Sequence, residues 1–212
     1  MKNFKHIWLA SYPRSGNTML RTILYQCFGL QSGSIYPNDL GGNKVLEKYV
    51  GHIEHSVDRI HFPANSLSLI KTHEPPHDAE PTIYVVRHGR KATVSLWYYY
   101  NKRIGLGEII TGKTIIGTWA AHLQVWHPWD RPHTLLLKYE DMVNDLPVVL
   151  QKLSRFLSRE ILAHSIPERD KIADFDGIWV RKKKASRELP DEYRQLFDHV
   201  NEKMMRNMGY YT

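Results

Sequence analysis

Residues 7–28, IWLASYPRSGNTMLRTILYQCF, decide the fold, because a strand pattern and a helix pattern meet there across a short polar turn. The apolar run Ile7–Ala10 predicts a buried strand. From Asn17 to Phe28 apolar residues recur at helical spacing, which predicts an amphipathic helix. Backbone N–H groups at the start of a helix, together with the helix dipole, attract anions. The stretch therefore predicts an anion-binding turn after the first strand of a sheet.

Further strand and helix patterns follow along the chain. The apolar runs at residues 67–71, 82–86 and 134–138 are continuous rather than alternating, which is typical of parallel strands covered on both faces. Helix patterns lie between or after them, most clearly at residues 145–157 and 190–208. This alternation predicts an α/β fold with a central parallel β-sheet flanked by helices.

The length of 212 residues predicts one domain spanning residues 1–212. Two stretches look irregular, residues 29–66 with a weak helix pattern near residue 45, and residues 102–117 with four glycines. We interpret both as substrate or lid loops, with variable surface as the alternative.

The composition limits the classes of function. The net charge is +7, from 29 Lys and Arg against 22 Asp and Glu, which favours an anionic partner or simply solubility. Cys27 is the single cysteine, so an internal disulfide and a cysteine-rich metal site are excluded. No apolar run approaches the ~18 residues of a membrane span. We therefore expect a soluble protein of a reducing compartment, the cytoplasm.

The polar turn carries residue types suited to an anion. Gly16 would let the backbone approach the anion closely, and Arg14 adds a fixed charge. Side-chain donors are supplied by Ser15, Asn17 and Thr18. The Walker nucleotide loop requires a lysine directly after its second glycine, and this turn has none. That difference argues against a standard nucleotide kinase.

The stretch LIKTHEPP, residues 69–76, places a cation and an imidazole at the end of the next predicted strand. Alternation along an extended chain puts Lys71 and His73 on one side, at the edge where the anion turn also lies. A cation and a titratable base facing one cleft suit charge stabilisation and proton abstraction. A purely structural histidine is the alternative.

Two other basic features point to a second anion position. Arg87 ends the strand at residues 82–86, and Ser95 follows eight residues later within a predicted helix, so the two side chains can hold one phosphate. Arg181–Lys184 form a charge run, which is either a solvated face or a basic strap over a phosphate.

Taken together in chain order, these motifs resemble the cytosolic-type sulfotransferases, which use 3′-phosphoadenosine-5′-phosphosulfate (PAPS). SYPRSGNT, KTH and VVRHGRKATVS are similar to that family's 5′-phosphosulfate loop, catalytic-histidine segment and 3′-phosphate motif. GTWAAHLQVWHP, LKYEDM and VRKKK, which begin at residues 117, 137 and 180, resemble three further family segments.

The resemblance implies a P-loop-like fold and the transfer of a sulfuryl group to a hydroxyl or amine, with no metal required. His73 would be the general base, and Lys71 and Arg14 would neutralise charge. The 5′-phosphosulfate would be held by Arg14, Ser15, Gly16, Asn17 and Thr18. The 3′-phosphate would be held by Arg87, Ser95, Arg181 and Lys182, with Tyr139 near the adenine.

The chain departs from the family pattern at three positions and leaves several alternatives open. Met19 stands where the family has tryptophan, Arg14 where it has lysine, and Lys183 where the strap has glycine. A nucleotide-binding module without turnover and a small-molecule phosphotransferase are the alternatives. The acceptor is open among small molecules such as phenols, glycan or glycopeptide hydroxyls, and lipid head groups. A nucleic-acid partner would explain the charge but not the motifs, and the oligomeric state is undetermined.

Overall fold

The computed structural model describes residues 4–56, 59–64, 66–175 and 187–211, and a parallel β-sheet lies at its centre. The strands of this sheet run in the spatial order β2-β5-β1-β6-β7, and every pair of neighbours is parallel. Their bounds are β1 Ile7–Ser11, β2 Ser32–Ser34, β5 Leu69–Thr72, β6 Thr82–Val86 and β7 Thr134–Lys138. A separate antiparallel pair is formed by β3 His55–Ser56 and β4 Arg59–Ile60.

Helices cover both faces of the sheet. Their bounds are α1 Asn17–Phe28, α2 Lys44–Val50, α3 Gly89–Tyr99, α4 Leu106–Ile110, α5 Trp119–Trp126, α6 Tyr139–Asn144, α7 Leu146–Leu157, α8 Arg169–Phe175 and α9 Arg194–Asn207. Short 3₁₀ turns at Asp39–Gly42 and Asp191–Tyr193 precede α2 and α9. Among the described residues, no helix is long and apolar enough to cross a lipid bilayer.

The two faces of β1 and β6 explain why these strands are apolar at every position. Leu9 and Ile83 pack with α1 and α7 in one core cluster. Ala10 and Tyr84 point the other way and pack with α3, α5 and α9 in a second cluster. Successive side chains of a strand alternate between faces, so a strand covered on both sides reads as a continuous apolar run. This confirms the predicted α/β fold with a parallel sheet.

The placement of α1 and α3 fixes where a ligand can bind. Helix α1 follows β1 on one face of the sheet, and α3 follows the adjacent strand β6 on the opposite face. In open parallel sheets a crevice forms where the chain leaves neighbouring strands toward opposite faces, at their carboxyl ends. The turns after β1, β5 and β6 meet at this edge.

Residues 29–66 contain more regular structure than the sequence interpretation gave them. The weak helix pattern near residue 45 corresponds to α2, and the stretch also supplies the edge strand β2, which pairs with β5. The strand consists of Ser-Gly-Ser, which carries no apolar signal, although all three residues are buried. Residues 102–117 likewise contain α4, whose Leu106 and Ile109 are buried. The proposed lid role of both stretches and the single-domain boundary stay predictions.

Candidate active site at the carboxyl edge of the sheet

The turn between β1 and α1 is a tight loop with two left-handed residues. Arg14 has φ 66° and Gly16 has φ 108°, and the Ser15 N–H donates to Tyr12 O at 3.2 Å. Any Cβ at Gly16 would overlap the Tyr139 ring, which packs directly on the loop. Glycine is therefore required at position 16 for its backbone conformation and also for the close approach of Tyr139.

The beginning of α1 presents polar groups without an internal side-chain cap. Gly16 is the N-cap residue, and the first turn has no acidic side chain. The Ser15 hydroxyl is fully buried and has no hydrogen-bond partner among the described residues. The N–H groups of a helix's first turn need an outside partner, and an anion supplies one. These observations agree with the predicted anion turn.

Asn17 and Thr18 occupy the expected positions, but the Asn17 side chain has an internal role. Its Nδ2 donates to Leu9 O at 2.8 Å and to Ser11 Oγ at 3.3 Å, so the amide ties the loop back to β1. Thr18 and Asn17 both line the main cavity. The side-chain donors of Asn17 are therefore used within the protein.

Arg87 and Ser95 contact the turn between β1 and α1 directly. Arg87 follows β6 and donates from Nη1 to Arg14 O at 2.9 Å, while Ser95 lies on α3 and accepts from Arg14 Nε at 3.4 Å. The Arg87 guanidinium lies 4.6 Å from the centre of the Tyr139 ring. The structure thus brings together, around Arg14, the two groups of residues that the sequence predicts to bind phosphates.

His73 follows β5, and its neighbours fix the position of its proton. Its Nδ1 lies 2.7 Å from Ser11 O, and a carbonyl oxygen can only accept a hydrogen bond, so Nδ1 carries the hydrogen. Nε2 of the neutral ring consequently carries the lone pair. The ring stacks on Tyr36 at 5.8 Å, and the Tyr36 hydroxyl accepts from the His73 N–H at 2.9 Å.

The environment of His73 keeps its imidazole uncharged. Burial and, after it, the nearby Lys71 ammonium lower the pKa of His73 to about 3. The imidazole is therefore neutral across the physiological range, and its unprotonated Nε2 is available to accept a proton.

Lys71 lines the same cavity as His73, as the alternation along the strand predicted. Its side chain is also held by an ion pair that the sequence did not indicate, with Nζ 2.6 Å from Asp39 Oδ1. The other oxygen of Asp39 accepts from Arg21 Nη1 at 2.6 Å. Asp39 belongs to the 29–66 stretch, where no spacing pattern marked it. The sequence could not indicate it, because its partners lie on α1 and β5, far from it along the chain.

Helix α5 anchors the ends of two strands through three side chains. Trp119 Nε1 donates to Arg87 O at 3.1 Å, and Trp126 Nε1 donates to Glu74 O at 2.9 Å. Between them, His122 Nε2 donates to His73 O at 3.0 Å, while His122 Nδ1 accepts from the Tyr84 hydroxyl at 2.7 Å. This gives the Trp-x-x-His-x-x-x-Trp segment a physical role in holding the backbone of the site.

One cavity of about 1480 Å³ connects these groups. Its wall includes Met19 and Ile166, which pack against the α1/α7 core, and Tyr100 and Ile116, which pack against the α3/α5 core. Single drug-sized ligands occupy pockets of roughly 300–1,000 Å³. The cavity is therefore large enough for two ligands, one toward each face of the sheet, with His73 and the anion loop on its wall.

Two of the predicted 3′-phosphate residues, Arg181 and Lys182, lie outside the described residues, as does Lys183. Arg187, just beyond them, lines the cavity, and its guanidinium lies 3.7 Å from the centre of the Tyr98 ring. Ile166 and Ile172, which sequence reasoning did not place in the site, also line the cavity. Ile166 precedes the short helix α8 and Ile172 lies within it, and neither belongs to a motif that marks it in the sequence.

Comparison with known proteins gives consistent matches. The family model of the sulfotransferase domain matches residues 4–209. Human sulfotransferase 1E1 is 26% identical over 175 residues, which cover 72% of this chain and 58% of that protein. Mouse sulfotransferase 1 family member D1 is 25% identical and covers 94% of this chain and 74% of its own length. The chain thus spans well under two thirds of the human protein.

Solved structures share the fold. Mouse sulfotransferase SULT7A1 complexed with PAP superposes with a TM-score of 0.64 at 20% identity, covering 95% of this chain and 85% of that one. Retinol dehydratase in a complex with retinol and PAP gives the same TM-score at 16% identity, covering 95% of this chain and 81% of that one. At these identities the likeness demonstrates a common fold.

Proposed function

Because the chain belongs to the family of the sulfotransferase domain, we propose that it transfers a sulfuryl group from PAPS to a hydroxyl or amine of an acceptor. The observation that carries this proposal is the meeting of three features on the wall of one cavity: the anion loop, the Arg87–Ser95 pair and the His73 imidazole. PAP-bound structures of the same fold support the choice of donor.

The donor would bind with its 5′-phosphosulfate at the turn between β1 and α1, where Gly16 and Arg14 line the cavity beside the first turn of α1. Its 3′-phosphate would contact Arg87 and Ser95, which lie beside Arg14. Arg181 and Lys182 complete this second site in the family pattern and belong to the proposal on that ground alone.

The adenine would lie toward the α1/α7 face of the sheet. Met19 replaces the stacking tryptophan there, and Tyr139 packs on Gly16 beside Arg87. Ile166 and Ile172 extend the same wall with apolar surface. A polarizable methionine adapts to an aromatic ring, so these side chains together offer an apolar slot in place of one flat indole.

In the proposed reaction, the acceptor oxygen attacks sulfur as the bond between sulfur and the 5′-phosphate oxygen breaks, and PAP leaves. The proton of the acceptor hydroxyl moves to His73 Nε2. By analogy with phosphoryl transfer, the transition state is loose and spreads charge over the equatorial oxygens, so positioning and nearby cations supply most of the catalysis. Arg14 and Lys71 are those cations.

The acceptor side of the cavity favours a small molecule with an apolar or aromatic body. Tyr100, Ile116, Val125 and Trp126 line it, and one structural neighbour of this fold is complexed with retinol. A phenol or an apolar alcohol fits this wall better than a glycan, which needs many hydrogen-bonding partners.

The direct test is to incubate the purified chain with PAPS and a panel of phenols, apolar alcohols, amines and sugars, and to follow the formation of PAP. The native chain is expected to bind PAP by calorimetry and to consume PAPS. His73→Ala should reduce turnover by on the order of 10²–10⁴-fold and leave PAP affinity nearly unchanged, because it removes only the base.

The outcomes separate the competing functions. PAP binding without any His73-dependent transfer would support a nucleotide-binding module that lacks turnover. Tight binding of ATP with Mg²⁺ and no binding of PAP would support a phosphotransferase. A chain that binds neither nucleotide would refute the proposal.

A further inference from the structure

A buried ion cluster forms the wall of the cavity behind His73. Arg21 of α1 and Lys71 of β5 each contact a different oxygen of Asp39, both at 2.6 Å. The exposed fractions of the three side chains are 0% for Arg21, 5% for Lys71 and 2% for Asp39. Asp39 and Lys71 also line the cavity. The cluster is thus buried from bulk solvent but adjoins the space that a donor would occupy.

The remaining bonds of Arg21 hold Asp39 in place. Arg21 Nε and Nη2 donate to the hydroxyl and the carbonyl of Ser32 on the edge strand β2, and Nη2 also lies 2.8 Å from His52 Nδ1. Burial, followed by the Arg21 charge, lowers the pKa of His52 to about 4, so His52 is neutral. Arg21 therefore acts as a fixed anchor, and Lys71 is the cation that borders the cavity.

The backbone on both sides of Asp39, just before α2, has an unusual conformation. Asn38 and Leu40 flank Asp39 with φ 56° and φ 66°, in the left-handed region that non-glycine residues seldom adopt. Leu40 is buried against Leu46, Val50 and Ile172. Such conformations persist only where the surrounding packing enforces them, and they occur often at functional sites.

We propose that Asp39 is a positioning residue that holds the Lys71 ammonium beside His73, where it neutralises charge on the transferred sulfuryl group. The inference rests on the proposed function, because it assigns to Lys71 a role in that reaction. It adds a residue from the 29–66 stretch to the machinery. Asp39 itself acts through Lys71 and does not contact the donor.

The charges around Lys71 explain why the carboxylate is needed. The groups that face it from the neighbouring elements are Asp39, Arg21, Arg14, His73 and the ring of Tyr36, whose centre lies 5.5 Å from Nζ. Burial lowers the pKa of Lys71, and Asp39 raises it. The charges of Arg21 and Arg14 lower this pKa further. Without Asp39, three cations would adjoin one buried site, and the ammonium would lose its proton more readily.

The cluster carries one positive charge in excess, since two cations share one carboxylate. For Asp39 itself, burial would raise the pKa, but the charges of Lys71 and Arg21 lower it to about 2. The carboxylate therefore stays ionised throughout the working pH range, and an anionic donor would balance the remaining charge. A buried charge without a partner is costly, so this excess favours donor binding.

The experiment compares Asp39→Asn and Asp39→Glu in the full chain, with PAPS as donor and 2-naphthol as acceptor. Asp39→Asn is expected to reduce kcat by on the order of 10²-fold, the usual effect of misplacing a catalytic group. Its kcat should recover partly at lower pH, because Lys71 regains its proton there. Asp39→Glu keeps the charge but shifts the carboxylate, so kcat should fall with a native pH profile.

A double-mutant cycle with Lys71→Met tests whether Asp39 acts through Lys71. The variant Lys71→Met/Asp39→Asn keeps the native net charge of the cluster but leaves the buried Arg21 without its carboxylate. Urea unfolding must therefore show that this variant is folded before its kcat is compared. If Asp39 works through Lys71, this double variant has the same kcat as Lys71→Met alone. If the losses of kcat in the two single variants multiply in the double variant, the proposal is overturned.

A spectroscopic titration separates failure of this inference from failure of the proposed function. The ¹³Cε signal of Lys71 reports its protonation without any substrate, and Asp39→Asn should lower that pKa by about 1–3 units. Glu47→Gln is the matched control, since Glu47 is also nearly buried in the same stretch but pairs with the exposed Lys44. Glu47→Gln should change neither the pKa of Lys71 nor kcat.

The results that contradict the inference are distinct. Native titration of Lys71 together with native kcat in Asp39→Asn would refute it while leaving the sulfotransferase activity intact. A native chain that neither binds PAP nor consumes PAPS would refute the proposed function, and the titration would still decide whether Asp39 holds the charge of Lys71.

Discussion

His73 illustrates how a single backbone atom sets the chemistry of a side chain. Ser11 O, at the carboxyl end of β1, accepts from Nδ1 and so leaves the lone pair on Nε2. The pairing depends on β1 and β5 lying next to each other in register, with Ala10 opposite Thr72. The proton acceptor of the proposed reaction is thus defined by sheet pairing rather than by the histidine alone.

Gly16 gives a testable prediction at the same scale. Gly16→Ala combines a left-handed backbone with an overlap against the Tyr139 ring, whereas Gly42→Ala, at φ 70°, meets nothing within 4 Å. We expect Gly42→Ala to cost about 1 kcal/mol of unfolding free energy. Gly16→Ala should cost about 1–3 kcal/mol more than Gly42→Ala, because Tyr139 must move. For the same reason it should weaken PAP binding. Urea unfolding and calorimetry measure both, and equal effects of the two variants would contradict the role given to the loop.

At the scale of elements, α5 is a rigid clamp on the site. It holds the carbonyls of Arg87, His73 and Glu74 through three side-chain donors, so the ends of β5 and β6 keep a fixed separation. A hydrogen-bonded path also runs from the Tyr84 hydroxyl through His122 to the His73 carbonyl. The proposed base therefore depends on an element that follows it by about fifty residues in the sequence.

His122 makes the clamp sensitive to acid. Burial lowers its pKa to about 4, while the unfolded chain has the ordinary value of about 6.5. Between these values the unfolded state binds a proton that the folded state does not, so stability is full above pH 6.5 and falls as the pH drops toward 4. The slope from this one group is about 1.4 kcal/mol per pH unit.

The variant His122→Gln removes the titrating group and isolates this contribution. Urea unfolding at pH 6.5, 5.5 and 4.5 should give a dependence on pH that is shallower by about 1.4 kcal/mol per unit than in the native chain. His164→Gln, at an exposed position away from α5, serves as the control for replacing a histidine by glutamine. If both variants behave alike, the clamp does not carry the acid sensitivity.

At the scale of the whole molecule, the cavity joins two cores and the 29–66 stretch. Its wall draws on the α1/α7 core, on the α3/α5 core and on Asp39. Arg14, Arg87, Lys71 and Arg187 line this one space, and so do acidic side chains such as Glu140. A highly charged anion that fills this space would bridge all of these parts.

We therefore expect PAP to stabilise the entire fold. At a concentration of 100 times its Kd, PAP should add about 2.7 kcal/mol and raise the melting temperature by roughly 5–10 °C. AMP at equal concentration should raise it less, since it lacks the 3′-phosphate that Arg87 and Ser95 would bind. Thermal scans at low and high salt measure the difference, and an equal shift from both nucleotides would argue against a 3′-phosphate site.

Much of the fold could be predicted because its signals are local. The apolar run of β6 and the periodicity of α1 coincide with the observed elements, Thr82–Val86 and Asn17–Phe28. Burial on both faces leaves a continuous apolar pattern, and a helix leaves a 3.6-residue period. Strand β2 escaped prediction because Ser-Gly-Ser is buried by its neighbours and not by its own hydrophobicity.

The sequence by itself determined the residue types of the candidate site: a polar turn with a glycine, a strand-end imidazole and an arginine–serine pair at the edge of a parallel sheet. Only the tertiary structure decided how these groups are controlled. It brought Asp39 to Lys71, oriented the Asn17 amide back to β1 and assigned the His73 proton through Ser11 O. The residue types of a motif are read along one segment, whereas a hydrogen bond between distant segments exists only once strand order and register place its two atoms within about 3 Å.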